Sequence, residues 1–287
     1  MSHIVYRHVV IQMYCPPGVH RVLGKGSSAF VGYVDDATVL KYPLDMGADS
    51  FHLEHEKRLL DIVGRHEGII AHKGLTDQGL YLERACNGSL LDFMGQVEPS
   101  SLSVQQRIAW CRQIIEAVEY VHSKRVFHCD INPKNILLDE RLRIKLCDFQ
   151  GSYRDEEGKV ILRALAGAPD RYCLREFEGE ATVQTELFAF GSTIHFIMTG
   201  EEIFPEICPL DDNYPEEILL RFESGVFPQD VHACTEIAQK CWNQQYSSAH
   251  EVWEDIVAVE RLHTPSFRNN VDKGKSMGVA RWTCVIL

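Results

Sequence analysis

Several things are missing from this 287-residue chain, and each absence narrows what it can be. Its ten cysteines include no C-x-x-C pair, no segment resembles a secretory leader, and no apolar run reaches the ~20 residues needed to span a bilayer. A reducing, cytoplasmic setting is the expectation. Internal repeats and low-complexity blocks are also missing, so a solenoid or an array is not expected. Positive charge is scarce: 29 Lys and Arg face 41 Asp and Glu, and the formal charge of −12 argues against nucleic acid as a partner. What is present, 45% hydrophobic and 24% charged residues, suits one ordinary globular unit of substantial size.

The densest chemistry lies in His128-Cys129-Asp130-Ile131-Asn132-Pro133-Lys134-Asn135, followed by Cys147-Asp148-Phe149. Between them, Ile136 to Asp139 and Arg141 to Cys147 read as two short apolar strands joined at Asp139-Glu140. That hairpin would bring Asp130, Asn135 and Asp148 together. Two Asp and one Asn on linked loops are what holding a metal-bound nucleotide beside a hydroxyl nucleophile requires, so the set points to phosphoryl transfer.

Upstream, Gly24-Lys25-Gly26-Ser27-Ser28-Ala29-Phe30-Val31 is a glycine-rich turn between apolar segments, and Lys41 follows Val39-Leu40 at a strand end. Residues 49–64 have helical periodicity, with Phe51, Leu53, Leu59, Leu60 and Val63 apolar, Ser50 at the start and Gly64 at the stop. Glu54 and Glu56 are acids on this stretch, and Glu56 opens the run Glu56-Lys57-Arg58-Leu59-Leu60. Glu54, two positions away and roughly 200° around a helix, cannot share its face.

Taken together, these residues resemble the eukaryotic protein kinase superfamily from about residue 20 to residue 260. H-x-D-x-x-x-x-N is similar to the catalytic loop, Asp148-Phe149 to the metal-binding pair, the glycine run to G-x-G-x-x-G-x-V with Ala29 in place of the third glycine, Lys41 to the third-strand lysine, and Glu56-Lys57-Arg58-Leu59-Leu60 to helix C, which makes Glu56 the expected partner of Lys41. Leu80 to Leu90 resembles the hinge, Thr185 to Gly200 the buried helix F, Tyr172-Cys173-Leu174-Arg175-Glu176 the Ala-Pro-Glu ending, and Cys241-Trp242 a late helix. Ser103 and Gln106 form an expected capping box for the helix leading to His128.

The resemblance implies an α+β, two-lobed fold: an N-terminal extension (1–19), a small β-rich N-lobe (20–84), a mainly helical C-lobe (85–262) and a basic tail (263–287). It implies ATP and Mg2+ as cofactors and a protein substrate. Asp130 would accept the proton of the attacking hydroxyl, with Lys41, Glu56 and Lys134 completing the catalytic set. Asn135 and Asp148 would bind metal, while Gly24, Gly26, Val31, Lys41, Glu83 and Ala85 would meet the nucleotide. Three readings share these residues: a working protein kinase, a pseudokinase acting as a binding module, and a small-molecule phosphotransferase.

Departures from the family pattern are Cys129 for the arginine of His-Arg-Asp, Asn132 where serine/threonine kinases have a lysine, Gln150 for the glycine after Asp-Phe, Arg175 for a proline, and Glu186 for the Asp opening helix F. None removes a metal-binding or proton-accepting group. Residues 261–287 carry Arg261, Arg268, Lys273, Lys275 and Arg281 against Asp272, and end in Cys284-Val285-Ile286-Leu287. That ending reads as a prenylation box on a poorly apolar linker, with Cys284 the lipidated residue and cationic neighbours as the second membrane signal. The expected localisation is cytoplasmic and membrane-associated.

Overall fold

A computed structural model describes residues 14–174 and 181–264. The first region is a five-stranded antiparallel sheet with a single helix. Its strands are β1 (Arg21–Lys25), β2 (Ala29–Asp35), β3 (Thr38–Pro43), β4 (His72–Thr76) and β5 (Gly79–Glu83), in the order β1-β2-β3-β5-β4. Strand alternation divides β3 between two faces. Val39 and Lys41 face the main core, whereas Leu40 and Tyr42 pack with Phe30 in a separate cluster. Helix α1 (Phe51–Val63) covers the inner face with Leu53, Leu59, Leu60 and Val63.

The ends of α1 match the expected residues, but one cap works differently. Gly64 closes the helix, its N–H donating to the Leu60 carbonyl at 2.9 Å. Ser50 occupies the N-cap, yet its hydroxyl bonds the Glu54 carboxylate and no helix amide. The Asp49 carboxylate takes the first N–H, that of Phe51, instead. A charged acceptor beside the helix N-terminus is the stronger competitor for that amide.

The second region is helical. It begins with α2 (Leu90–Gln96) and the long α3 (Val104–Ser123), whose Ser103 accepts from the Gln106 N–H at 3.2 Å. Then come β6 (Val126–Phe127), the hairpin β7 (Ile136–Leu138) and β8 (Ile144–Leu146), and strands β9 (Ser152–Arg154) and β10 (Val160–Leu162). The hairpin is antiparallel, and β9 lies between β10 and β6. Helices α4 (Val183–Thr199), α5 (Tyr214–Glu223), α6 (Thr235–Trp242) and α7 (Ala249–His263) complete the described chain.

Helix α4 is the axis of this region, buried from Glu186 through Ile197. Where it crosses α6, Gly191 admits close contact: a Cβ there would lie 2.9 Å from the Cys241 Cβ. Trp242 then reaches over to bond the Ser192 hydroxyl at 3.1 Å, which is how the late Cys-Trp pair joins two helices. The β-sheet region followed by the helical region is the α+β, two-lobed arrangement that the resemblance implies. Among the described residues, no helix is long and apolar enough to cross a membrane.

Candidate active site

Lys41 sits in the middle of β3, opposite Val31 on β2 and Leu80 on β5. Its ammonium lies 2.6 Å from Glu56 Oε2 and 2.5 Å from Asp148 Oδ1, so one buried cation bridges the sheet, α1 and the loop after β8. Burial disfavours the Lys41 ammonium, but the carboxylates of Glu56 and Asp148 outweigh it and hold the group above its ordinary value. Glu56 is fully buried, and its Oε1 has no hydrogen-bond partner. Burial therefore raises its pKa, with Lys41 pulling the other way. Asp148 responds in the opposite sense: its burial is outweighed by Lys41, which holds it below the usual carboxylate range.

The hairpin of β7 and β8 brings the two loops together as expected, and the Cys147 N–H donates to the Asn135 carbonyl at 2.9 Å. Asp139 closes the turn by accepting from the N–H groups of Arg141 and Arg143. In the preceding loop both Asp130 oxygens are held by amides: Asn132 Nδ2 donates to Oδ1 at 2.6 Å and Asn135 Nδ2 to Oδ2 at 2.7 Å. Burial raises the Asp130 pKa, with Asp148 adding to that and His128 and the amides opposing it. A carboxylate fixed in direction and made more basic is suited to accepting a proton.

Two residues outside the expected set shape this loop. In the sequence Asn132 is only a departure from the family lysine, yet its amide orients Asp130. Glu186, at the start of α4, accepts from the Cys129 N–H at 2.6 Å and pairs with His122 at 2.7 Å. Cys129 has φ of 67°. That left-handed backbone, uncommon outside glycine, is held by the buried carboxylate. The Cys129 thiol itself is pushed up to about 12, by burial and then by Glu186, and so is an inert side chain at neutral pH.

The donor set fits magnesium. Among the described residues, no hydrogen bond engages Asn135 Oδ1 or Asp148 Oδ2, and hard oxygen donors on two side chains suit a small divalent cation that takes its remaining ligands from phosphate and water. Lys134 is exposed, and its charge acts on Asp148. Across the cleft, Gly24 and Gly26 have open or ordinary space where a Cβ would stand, so no neighbouring group in the fold excludes a side chain there. The Gly26 N–H is committed to the Ala29 carbonyl at 2.8 Å. At the end of β5, the Glu83 side chain is tied to Lys145 and the Ala71 N–H. No described residue takes the Ala85 N–H.

Behind Asp148 the chain turns sharply, with Asp148 itself at φ 63°. Phe149 is fully buried against the His128 ring, 4.7 Å between centroids. Gly151 then passes so close to the catalytic loop that a Cβ would lie 1.8 Å from the Phe127 carbonyl oxygen. The fold's steric need for glycine thus falls one residue later than the family's Asp-Phe-Gly spacing, at Gly151, which frees position 150 for a side chain. Arg171 anchors the far end of this segment, with Nη1 2.6 Å from Glu202 and Nη2 on the carbonyls of Phe204 and Ile207. Arg175, Glu176 and Cys284 lie outside the described residues, as does the basic tail from 265 onward.

Known proteins are similar to this chain over part of their length. Death-associated protein kinase 2 of Homo sapiens is 30% identical over 166 residues, covering 55% of this chain and 44% of that protein. The RGS domain-containing serine/threonine-protein kinase A of Dictyostelium discoideum is 24% identical over 273 residues, 90% of this chain and 23% of its own. Serine/threonine-protein kinase GIN4 of Saccharomyces cerevisiae is 32% identical over 155 residues, 53% and 13% respectively. The chain thus spans less than half the length of each of these curated relatives. The profile of the protein kinase domain matches residues 44–262, most of the chain, beginning just after Lys41. By that match, the chain belongs to the protein kinase domain family.

Proposed function

We propose that this protein is an ATP- and magnesium-dependent protein kinase that transfers a phosphoryl group to a serine or threonine hydroxyl of a protein substrate. The observation that carries the proposal is the bridged trio of Lys41, Glu56 and Asp148 beside an Asp130 held by two amides. Lys41 positions the nucleotide phosphates and Glu56 positions Lys41. Asp148 and Asn135 would hold the metal, which when bound would supply charge neutralisation at the phosphates. Asp130 orients the acceptor hydroxyl and takes its proton, and Lys134 adds positive charge at the transfer point. Gly24, Gly26 and Val31 cover the nucleotide, with the backbone of Glu83 and Ala85 at its base. The serine/threonine assignment is supported by the names of two of the relatives. The test is transfer of labelled γ-phosphate to a mixed peptide library, followed by identification of the modified residue. Phosphotyrosine alone would overturn the acceptor class, and no transfer to protein or to itself would overturn the activity.

Turnover is expected to be independent of phosphate on the segment after Asp148. Cys129 supplies no guanidinium to read one. Ser152 and Tyr172 are buried, and the Tyr172 hydroxyl lies 3.4 Å from Glu202. Phosphatase treatment, or joint replacement of Ser152, Tyr153 and Tyr172, should change the rate less than tenfold, about 1.4 kcal/mol.

A membrane tether through Cys284 belongs to the same proposal and is supported by the residue order of the tail alone. A single prenyl chain binds marginally, and Lys273, Lys275 and Arg281 would each add on the order of 1 kcal/mol at an anionic surface. Protein from its native cells should carry a geranylgeranyl mass on Cys284, and Cys284→Ser should leave the membrane fraction. An unmodified Cys284 would defeat the tether without touching the kinase assignment.

A further inference from the structure

Gln150 stands where the family has a glycine, and its side chain is used. It is 5% exposed and turns toward α1, across the first full turn of that helix. Its Nε2 lies 3.2 Å from the His52 carbonyl and 3.4 Å from Glu56 Oε2, and its Oε1 lies 3.2 Å from His52 Nδ1. One amide thus reaches the backbone, the ring and the carboxylate that α1 presents along one edge. Its own backbone is fixed on the other side: the Gln150 N–H donates to the Asp148 carbonyl at 3.0 Å, and the Gln150 carbonyl accepts from the Leu165 N–H at 2.8 Å. The next residue repeats the link, with His55 bonded to the Gly151 carbonyl at 2.8 Å.

We infer that Gln150 is a positioning residue that latches α1 onto the segment after Asp148, holding Glu56 against Lys41 without help from a phosphate. A glycine at 150 has no group with which to make these bonds. The latch also gives Glu56 a neutral donor beside Lys41. That matters for a buried carboxylate whose second oxygen already lacks a partner. With Cys129 removing the usual phosphate reader, an internal tie on α1 supplies the missing constraint, since helix placement is what activation-segment phosphorylation otherwise controls. Relative to the kinase assignment, the inference deepens it, and its activity readouts rest on that assignment.

The test uses Gln150→Met, which keeps the length and removes the amide, and Gln150→Gly, which restores the family residue. Both should lower kcat tenfold or more while the KM for ATP stays within threefold, because the Gln150 side chain bonds only His52 and Glu56 and touches neither the glycine-rich turn nor the Glu83 strand that would hold the rest of the nucleotide. In a Glu56→Gln background, where the ion pair is already lost, Gln150→Met should cost no further twofold in kcat, since residues acting as one unit are not additive. Hydrogen exchange in the nucleotide-free protein supplies a readout independent of turnover. Gln150→Met should speed amide exchange in residues 51–57 tenfold or more and leave α3 unchanged. Unchanged exchange in 51–57, kcat within twofold of wild type, or a fully additive loss with Glu56→Gln would each overturn the latch. If wild type shows no phosphoryl transfer at all, the exchange measurement still decides the latch, while the kinase assignment falls separately.

Discussion

Asp130→Ala is expected to bind ATP and magnesium as wild type does and to transfer phosphate about 10²–10⁴-fold more slowly, the range for loss of a positioned general base. The ion pairs that would grip the nucleotide survive in that variant: Lys41, Glu56 and Asp148 keep their mutual contacts, and Asn135 loses its bond to the Asp130 carboxylate but keeps the one to the Asp130 carbonyl at 3.0 Å. Asp148→Ala should behave in the opposite way and lose the magnesium-dependent part of nucleotide binding, since it removes the carboxylate with an uncommitted oxygen next to Lys41. Thermal shift with ATP, with and without magnesium, separates the two, and a single-turnover assay completes the comparison. An Asp130→Ala protein turning over within tenfold of wild type would contradict the role given to that residue.

Lys41→Met should be the most destabilising change in the site. Glu56 has no exposed surface, and one of its oxygens is already unpartnered. Without Lys41 only the Gln150 amide, at 3.4 Å, would remain as a side-chain donor to it. Removing one partner of a buried ion pair costs about 3–5 kcal/mol, because an uncompensated charge is left in the interior. The cost should depend on pH with a definite sign. Burial already raises the Glu56 pKa in the folded protein, and losing Lys41 raises it further. The folded state then binds that proton more tightly than the unfolded chain. Its stability is fullest below the unfolded carboxyl pKa and is lost as pH rises through the folded one. Denaturant unfolding should therefore show a larger gap between Lys41→Met and wild type at about pH 8 than at about pH 5. A gap independent of pH would mean that Glu56 does not titrate across that range, and a gap below about 1 kcal/mol would mean that the pair is not desolvated in solution.

Much of the site was readable from residue order because its parts are local or periodic. The hairpin between Asn135 and Cys147 follows from two short apolar strands around Asp139-Glu140, and once it forms, the two loops must lie side by side. That Glu54 and Glu56 cannot serve the same face follows from helical geometry, whereas the choice of Glu56 came from the likeness of Glu56-Lys57-Arg58-Leu59-Leu60 to the kinase helix-C pattern. The cleft residues needed no such geometry, because the resemblance already named Lys41, Asp130, Asn135 and Asp148.

What the order of residues left open were the contacts between segments far apart in the chain. Asn132 read as a loss, a missing lysine, and only the fold shows its amide on Asp130. Gln150 read as a damaged motif, yet the space forbidding a side chain lies at Gly151, set by the Phe127 carbonyl 24 residues upstream in the chain, and the Gln150 amide meets a helix 98 residues away at His52. Glu186 read as one departure from the family pattern, while its carboxylate in fact secures the left-handed Cys129 from 57 positions on. The sequence by itself determined the hairpin of β7 and β8 and the helices α1, α3 and α4, because periodicity and turn chemistry act over a few residues. Tertiary structure alone decided which of the unusual residues hold the catalytic groups in place, because a hydrogen bond needs its partners within about 3 Å, and that distance is set by packing of the whole core.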